Sequence, residues 1–273
     1  MDAPSVALVG AGQMGAALIR GWINAIRRGG GLTLSVLEPE FDPDLELELI
    51  SAGAVLNPPE LERVDVVVLA VKPQQFAAAA GGVRPLTAGG AMVLSIMAGI
   101  TIETLGEMLG ARRIVRAMPN TPGQIGQGVT AMVASPACDA ADLAMARLLL
   151  EPLGLIEPLA GERLMDVVTA VAGSGPAYAF LLAEALAAAA ENEGLEREAA
   201  IRIARQTIAG AGALLLASEQ SLAGLRRQVA SPGGATEAAL DVLQSPEGLL
   251  PLLRRAVTAA THRARELGKG VRG

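Results

Sequence analysis

Near the N-terminus, Gly10-Ala11-Gly12-Gln13-Met14-Gly15 fits the pattern G-x-G-x-x-G. The chemistry this spacing serves is the holding of a pyrophosphate. Gly10 permits a tight turn, Gly12 lets the backbone approach the anion, and Gly15 lets helix and strand pack closely. A helix opening there offers free N–H groups and the positive end of its dipole. The alternative is a glycine-rich turn of any α/β protein. Context favours the dinucleotide: the apolar run 5–9 precedes the motif and a helical pattern over 13–28 follows it. Glu38 comes directly after a second apolar run. An acidic side chain there can accept hydrogen bonds from ribose hydroxyls and repel a 2′-phosphate. No arginine is expected nearby to receive such a phosphate, so NADH is favoured over NADPH. The other reading of Glu38 is a surface residue in the acidic stretch with Glu40, Asp42 and Asp44.

Further candidates cluster at strand ends. Ala70-Val71-Lys72-Pro73 closes a β-branched run, and strand C-termini face the ligand crevice of a doubly wound sheet. Lys72 could contact a phosphate or cap a loop. Asn57 sits in a loop expected to face the same crevice, within reach of the adenosine half. Arg116-Ala117-Met118-Pro119-Asn120-Thr121-Pro122 ends another strand with a rigid polar loop, which either shapes the nicotinamide region or is a plain turn. In the second half, small residues gather in Gly173-Ser174-Gly175-Pro176-Ala177-Tyr178 and in Ser231-Pro232-Gly233-Gly234-Ala235-Thr236. Proline and glycine before a helix expose backbone amides. The second patch could hold a small carboxylate on amides and hydroxyls, or merely start a helix.

The elements that position these residues follow from patterning. Apolar runs at 5–9, 32–37, 64–71, 91–96, 113–118 and 128–134 predict strands, separated by helical or turn-rich stretches. The alternation implies βαβ units and a mostly parallel sheet buried on both faces. A helix is predicted over 139–150 with Asp139 as N-cap. Beyond Glu162 no strand is expected. Helical patterns run over 163–172, 176–193, 197–217, 221–229, 234–243 and 247–267. The fold class is therefore α/β: an N-terminal Rossmann-type doubly wound sheet over residues 1–160, then an all-helical domain over 161–273.

Composition narrows the function. The formal charge is −6 and the pI is near 5.0, which argues against a nucleic-acid surface. Cys138 and His262 are the only residues of their kinds. A disulfide, a cysteine-held zinc and a serine triad on His262 are accordingly not expected. No basic signal region opens the chain. The apolar run from Pro176 to Ala190 reads as too short and too alanine-rich for a membrane span. A soluble, cytoplasmic protein is expected. The helical half is apolar enough that a dimer interface is the favoured cover, with an alanine-rich core as the alternative.

Taken together, the motifs Gly10–Gly15, Ala70–Pro73, Met118–Pro122, Gly173–Tyr178 and Ser231–Thr236 resemble the pyrroline-5-carboxylate reductase family in order and separation. The resemblance implies a helical dimerisation domain, a homodimer open to higher assembly, and NAD(P)H reduction of L-1-pyrroline-5-carboxylate to L-proline. It makes Thr236 the catalytic hydroxyl on the ring nitrogen. Ser231 and the amides of Gly233, Gly234 and Ala235 hold the substrate carboxylate, with Glu219 an acidic neighbour. Cofactor contacts carry over to Gly10, Gly12, Gln13, Met14, Gly15, Ala70, Val71, Lys72, Pro73, Asn57 and Asn120. Glu38 departs from the serine, asparagine or arginine common in the family, which again points to NADH. Gln228 also departs, and no contact is carried over to it. A β-hydroxyacid dehydrogenase would need a lysine in the helical half, where Lys269 alone is available. A dinucleotide-sensing regulator would not need the Ser231–Thr236 patch.

Overall fold

The structure is a computed structural model and describes residues 3–29, 31–61 and 63–269. The chain divides into two compact units, Met1–Gly173 with Ala260–Gly273, and Ser174–Ala259. The last strand ends at Pro158. The division by packing comes later, because the short helices that follow remain with the first unit.

The first unit is a twisted sheet with helices on both faces. Its elements are β1 (Ser5–Val9), α1 (Gln13–Arg27), β2 (Thr33–Leu37), α2 (Pro43–Ser51), β3 (Val55–Leu56) and β4 (Val66–Leu69). They continue with α3 (Phe76–Ala88), β5 (Met92–Ser95), α4 (Ile102–Leu109), β6 (Ile114–Met118), β7 (Gly128–Ala134), α5 (Ala140–Leu150) and β8 (Gly154–Pro158). The strand order is β3-β2-β1-β4-β5-β6-β7-β8. Neighbours are parallel except β6 and β7. The expected mostly parallel, doubly covered sheet is thus present.

Strand periodicity explains the two cores. Val6, Leu8, Val66 and Val68 point to one face, where Leu18, Ile19, Trp22 and Ile23 of α1 and Leu149 of α5 cover them. Ala7, Val9, Val67 and Leu69 point to the other, against Phe76 and Val83 of α3 and Leu105 of α4. Successive residues alternate faces in a strand, so a run of β-branched residues with no polar gap is what two covered faces require. The Trp22 indole N–H donates to the Leu149 carbonyl at 2.8 Å, satisfying its one polar atom inside this core.

Three elements depart from the expectation. The acidic stretch after Glu38 is not plain surface. Asp42 caps α2 by accepting from the Leu45 N–H at 3.0 Å, and Pro43 opens the helix. β3 pairs only through Ser35↔Val55 and Val36↔Leu56. β8 pairs along β7, although Glu157 and Pro158 gave it no apolar run; as an outer strand it is covered on fewer sides. The predicted Asp139 cap is present, completed as a capping box with Asp142.

After β8 come α6 (Met165–Val168) and a π-helical turn, Thr169–Gly173. Next are α7 (Gly175–Asn192), α8 (Arg197–Ala217), α9 (Leu222–Gln228), α10 (Ala235–Leu243) and α11 (Leu249–Lys269). No strand follows Pro158 among the described residues, as expected. His262 lies exposed on α11, a solvated helix face.

In the second unit α7 packs on α8, yet α7 has no buried residue and α8 buries only Ala200 and Ala204. Phe180 and Leu181 are 64% and 63% exposed. By length and composition alone, the stretches Glu162–Asn192 and Arg197–Ala217 are long and apolar enough to cross a membrane. The run Pro176–Ala190, expected to be too short and too alanine-rich for a span, lies within the longer stretch Glu162–Asn192.

Candidate functional site

The glycine turn behaves as its spacing requires. Gly10 has φ +97°, and a Cβ there would lie 2.8 Å from the Ala70 carbonyl carbon and from the Val71 nitrogen. Ala70 and Val71, which follow β4, therefore seat directly against the turn. A Cβ on Gly15 would meet the Gly10 carbonyl oxygen. Gly12 differs: its Cβ direction opens into empty space. It is the position from which a ligand can approach the backbone. Gly12 is also the N-cap of α1, with no side-chain cap, and the first turn carries no acidic residue. The amides of Gln13, Met14 and Gly15 have no helical carbonyl upstream and suit an anionic group.

Glu38 stands opposite this turn. Its Oε2 accepts from the Ala11 N–H at 2.7 Å, so the carboxylate faces the turn rather than bulk solvent. Asn57 holds the loop that carries it: Asn57 Oδ1 accepts from the Glu38 N–H at 3.0 Å, and Nδ2 donates to the Glu38 carbonyl at 2.9 Å. Asn57 adopts φ 42°, a left-handed conformation that asparagine tolerates. Its amide is thus engaged with the main chain, and its visible role is to place Glu38.

A cleft of about 550 Å³ opens here, lined by Gly12, Gln13 and Arg20 of the motif and α1, by Glu38, Glu40 and Asp42, and by Gln124 and Ile125 from the Thr121–Ile125 turn. Arg20 corrects the expectation that no arginine is near. Residues 13, 16, 17 and 20 share one helix face, so the third turn of α1 reaches the cleft that its first turn begins. Gln124 and Ile125 were also missed. They follow the Met118–Pro122 loop, and nothing in their composition marks them. Lys72 is exposed and Pro73 half-buried at the end of the β4 segment.

Asn120, singled out within that loop, is bonded at both ends. Its Oδ1 accepts from the Val129 N–H at 2.9 Å, and its Nδ2 donates to the Ala172 carbonyl at 3.2 Å in the π-helical turn. It ties the loop after β6 to the start of β7 and to the segment leading toward Gly173.

In the second unit, Ser231–Thr236 forms a tight turn into α10. Gly233 has φ +71°. Its N–H donates to Glu237 Oε2 at 2.6 Å, and the Gly234 N–H donates to the Ser231 carbonyl at 3.0 Å. Two of the three amides expected to await a carboxylate are thus engaged within the turn, because the helix start satisfies its own donors where it can. Ala235 and Thr236, in the first turn of α10, have no helical carbonyl upstream. The N-cap is Gly234, so Thr236 caps nothing, and its side chain is exposed. Glu219 lies exposed between α8 and α9, with no hydrogen bond or ion pair to this turn among the described residues. The Gly173–Tyr178 patch places Pro176 in the first turn of α7. No group of metal-ligating side chains occurs among the described residues.

Similarity to known proteins covers both units. A family model for pyrroline-5-carboxylate reductase dimerisation matches residues 162–267. A pyrroline-5-carboxylate reductase of Pseudomonas aeruginosa is 39% identical, with 98% of each chain covered. The chain belongs to the pyrroline-5-carboxylate reductase family. A model for coenzyme F420-dependent NADP oxidoreductases also matches residues 5–99, the segment that carries the glycine turn. Among solved structures, a pyrroline-5-carboxylate reductase of Coxiella burnetii superposes with a TM-score of 0.88 at 34% identity, covering 97% of this chain and 99% of that one. The Plasmodium falciparum pyrroline carboxylate reductase, solved with NADP bound, gives 0.77 at 28% identity over 98% and 99% of the two chains. The family model for dimerisation contains the Gly173–Tyr178 patch, Glu219 and the whole Ser231–Thr236 turn.

Proposed function

We propose that this protein reduces L-1-pyrroline-5-carboxylate to L-proline with a reduced nicotinamide dinucleotide, the closing step of proline biosynthesis. The observation that carries this reading is the 39% identity over 98% of the chain to the Pseudomonas aeruginosa reductase. The geometry of the glycine turn supports it, since Gly12 is open to a ligand while Gly10 and Gly15 are not.

When bound, the cofactor supplies hydride from C4 of its nicotinamide to the imine carbon. A protonated cyclic imine is already electrophilic, so alignment and exclusion of water are the protein's main tasks. The α1 amides of Gln13, Met14 and Gly15 hold the pyrophosphate. Ala70, Val71, Lys72, Pro73 and Asn120 form the wall of the crevice. Glu38 reads the ribose hydroxyls, placed for this by Asn57, and NADH is used at least as well as NADPH. Ser231 and the first-turn amide of Ala235 receive the substrate carboxylate. The amides of Gly233 and Gly234 join them when their internal partners, the Glu237 carboxylate and the Ser231 carbonyl, give way. The Thr236 hydroxyl orients the ring nitrogen, and Glu219 is an acidic neighbour of the site. The apolar faces of α7 and α8 are covered by a second copy, giving a soluble, cytoplasmic homodimer that can assemble further. Residues 1–160 serve the cofactor, and 161–273 serve the substrate and the dimer.

The test is steady-state oxidation of NADH and of NADPH by the purified protein with pyrroline-5-carboxylate, alongside light scattering. Turnover by a dimer is expected. A dimer that binds NADH but does not turn over would sink the substrate assignment, and a monomer at micromolar concentration would sink the interface.

A further inference from the structure

The nucleotide cleft is lined by several carboxylates and by a single cationic side chain among the described residues. Glu38, Glu40 and Asp42 contribute negative charge, and Arg20 the positive charge. Two of the carboxylates have fixed partners: Glu38 the Ala11 amide at 2.7 Å, and Asp42 the Leu45 amide at 3.0 Å. Arg20 is held from outside the cleft lining. Its Nε lies 3.3 Å from both carboxylate oxygens of Glu48 on α2, and the two side chains stay 50% and 37% exposed. The grip is through Nε alone. The two terminal nitrogens, which form the fork that takes a phosphate in two parallel hydrogen bonds, make no hydrogen bond among the described residues.

We propose that Arg20 is the residue of this cleft that receives a 2′-phosphate, and that Glu48 restrains it, so that the Arg20–Glu48 pair sets the ratio in which NADPH and NADH are accepted. The inference rests on the dinucleotide reading of the cleft. Glu38 and Arg20 then act in opposition. With Arg20 neutralised by Glu48, a 2′-phosphate meets mostly carboxylates and is disfavoured. An exposed, salt-screened pair is a weak restraint, however. A doubly charged group offering bidentate geometry competes with it, because charge-assisted phosphate contacts to arginine are the stronger kind. The cleft therefore disfavours the phosphorylated cofactor without excluding it. The degree of preference depends on a residue of α2 that need not touch the ligand.

The experiment uses 2′,5′-ADP and 5′-AMP, which differ by the 2′-phosphate alone, titrated calorimetrically against the full chain, with NADH titrated by fluorescence. The quantity read is the ratio of the two nucleotide affinities. Arg20→Ala should lower the preference for 2′,5′-ADP about five- to ten-fold, the loss of one charge-assisted phosphate contact. Glu48→Gln should raise it about two- to five-fold, the range open to an exposed pair. The double variant should match Arg20→Ala. A ratio unmoved by Arg20→Ala, or a Glu48→Gln gain that survives in the double variant, overturns the proposal. If NADH and both nucleotides fail to bind the wild-type chain, the dinucleotide reading falls instead. Arg20 is exposed and Glu48 half-buried, and a thermal melt of each variant checks that it folds.

Discussion

Replacing Thr236 by alanine separates chemistry from folding, because the structure removes the usual confusion between them. A threonine at a helix start often caps the helix, and its loss then costs about 1 kcal/mol. Here the cap position is Gly234, and Thr236 is the second residue of α10, exposed. Threonine inside a helix is less favourable than alanine by up to about 0.7 kcal/mol. Thr236→Ala should therefore leave the melting temperature unchanged or slightly raised. If the hydroxyl holds the ring nitrogen in the transition state, its loss removes about 1.5–3 kcal/mol, a fall in kcat of roughly ten- to a hundred-fold. Thr236→Ser keeps the hydroxyl and should keep most of the activity. The assay is kcat and KM with pyrroline-5-carboxylate on all three proteins, with NADH affinity and thermal melts measured in parallel. NADH affinity should not fall with kcat. An alanine variant of normal turnover refutes the role of the hydroxyl. An alanine variant that is inactive but also melts well below wild type refutes the structural premise.

Glu38→Ser should raise the NADPH to NADH ratio in kcat/KM. Two like charges at 4 Å repel by about 4 kcal/mol at an effective dielectric of 20; exposure reduces this to about 1–2 kcal/mol, or roughly five- to thirty-fold. A wild-type enzyme that strongly prefers NADPH would refute that placement of Glu38. Arg116 is 4% exposed on β6 and meets Glu162 at 2.7 Å. Glu162 also accepts from the Ile102 N–H at 2.8 Å, so Arg116→Ala does not leave it wholly unpartnered and should cost about 2–3 kcal/mol. Chemical denaturation finding less than about 1 kcal/mol would contradict this. The Ser5 N–H, then the Ser5 hydroxyl, hold the Asp65 carboxyl below its usual 3.8. A folded value below the unfolded one means stability present above 3.8 and lost as pH falls through the folded value. Asp65→Asn should thus melt below wild type at neutral pH, with the gap closing on acidification; a gap constant with pH would show that the charge contributes nothing.

The sequence revealed what repeats and hid what bonds singly. Buried parallel strands such as Val66–Leu69 stand out because both faces demand apolar residues. Outer strands do not: β8 ends in Glu157-Pro158 and resembles a loop until its pairing with β7 is seen. Helix α2 was hidden by its acidic composition, although Asp42-Pro43 is an ordinary helix start. The turn Gly10–Gly15 was legible because three backbone constraints fall at fixed offsets. Arg20 is legible in principle, since helical spacing from Gln13 leads to it, although it lies outside the loops that usually carry such a cation. Asn57 and Asn120 stand out in the sequence, but the bonds they make are visible only in the structure. Each holds main-chain groups 19 and 9 residues away in sequence, and such distant bonds leave no local pattern.

Helix α11 begins in one compact unit and ends in the other, so the second unit is inserted into the first. The last stretch is not ornamental. Thr261 and Ala264 are buried, Gly268 lies against the Gly99 carbonyl, and Arg265 reaches Asp166 at 3.7 Å. On the ribosome this has a plain temporal meaning. The sheet is synthesised before the inserted unit, yet the helix end that covers Gly99 and Asp166 emerges only after it. The nascent chain must hold that side of the sheet uncovered until the inserted unit has been made. A stop just after Ala259 would therefore leave the lesion in the unit begun first, with the inserted unit made whole.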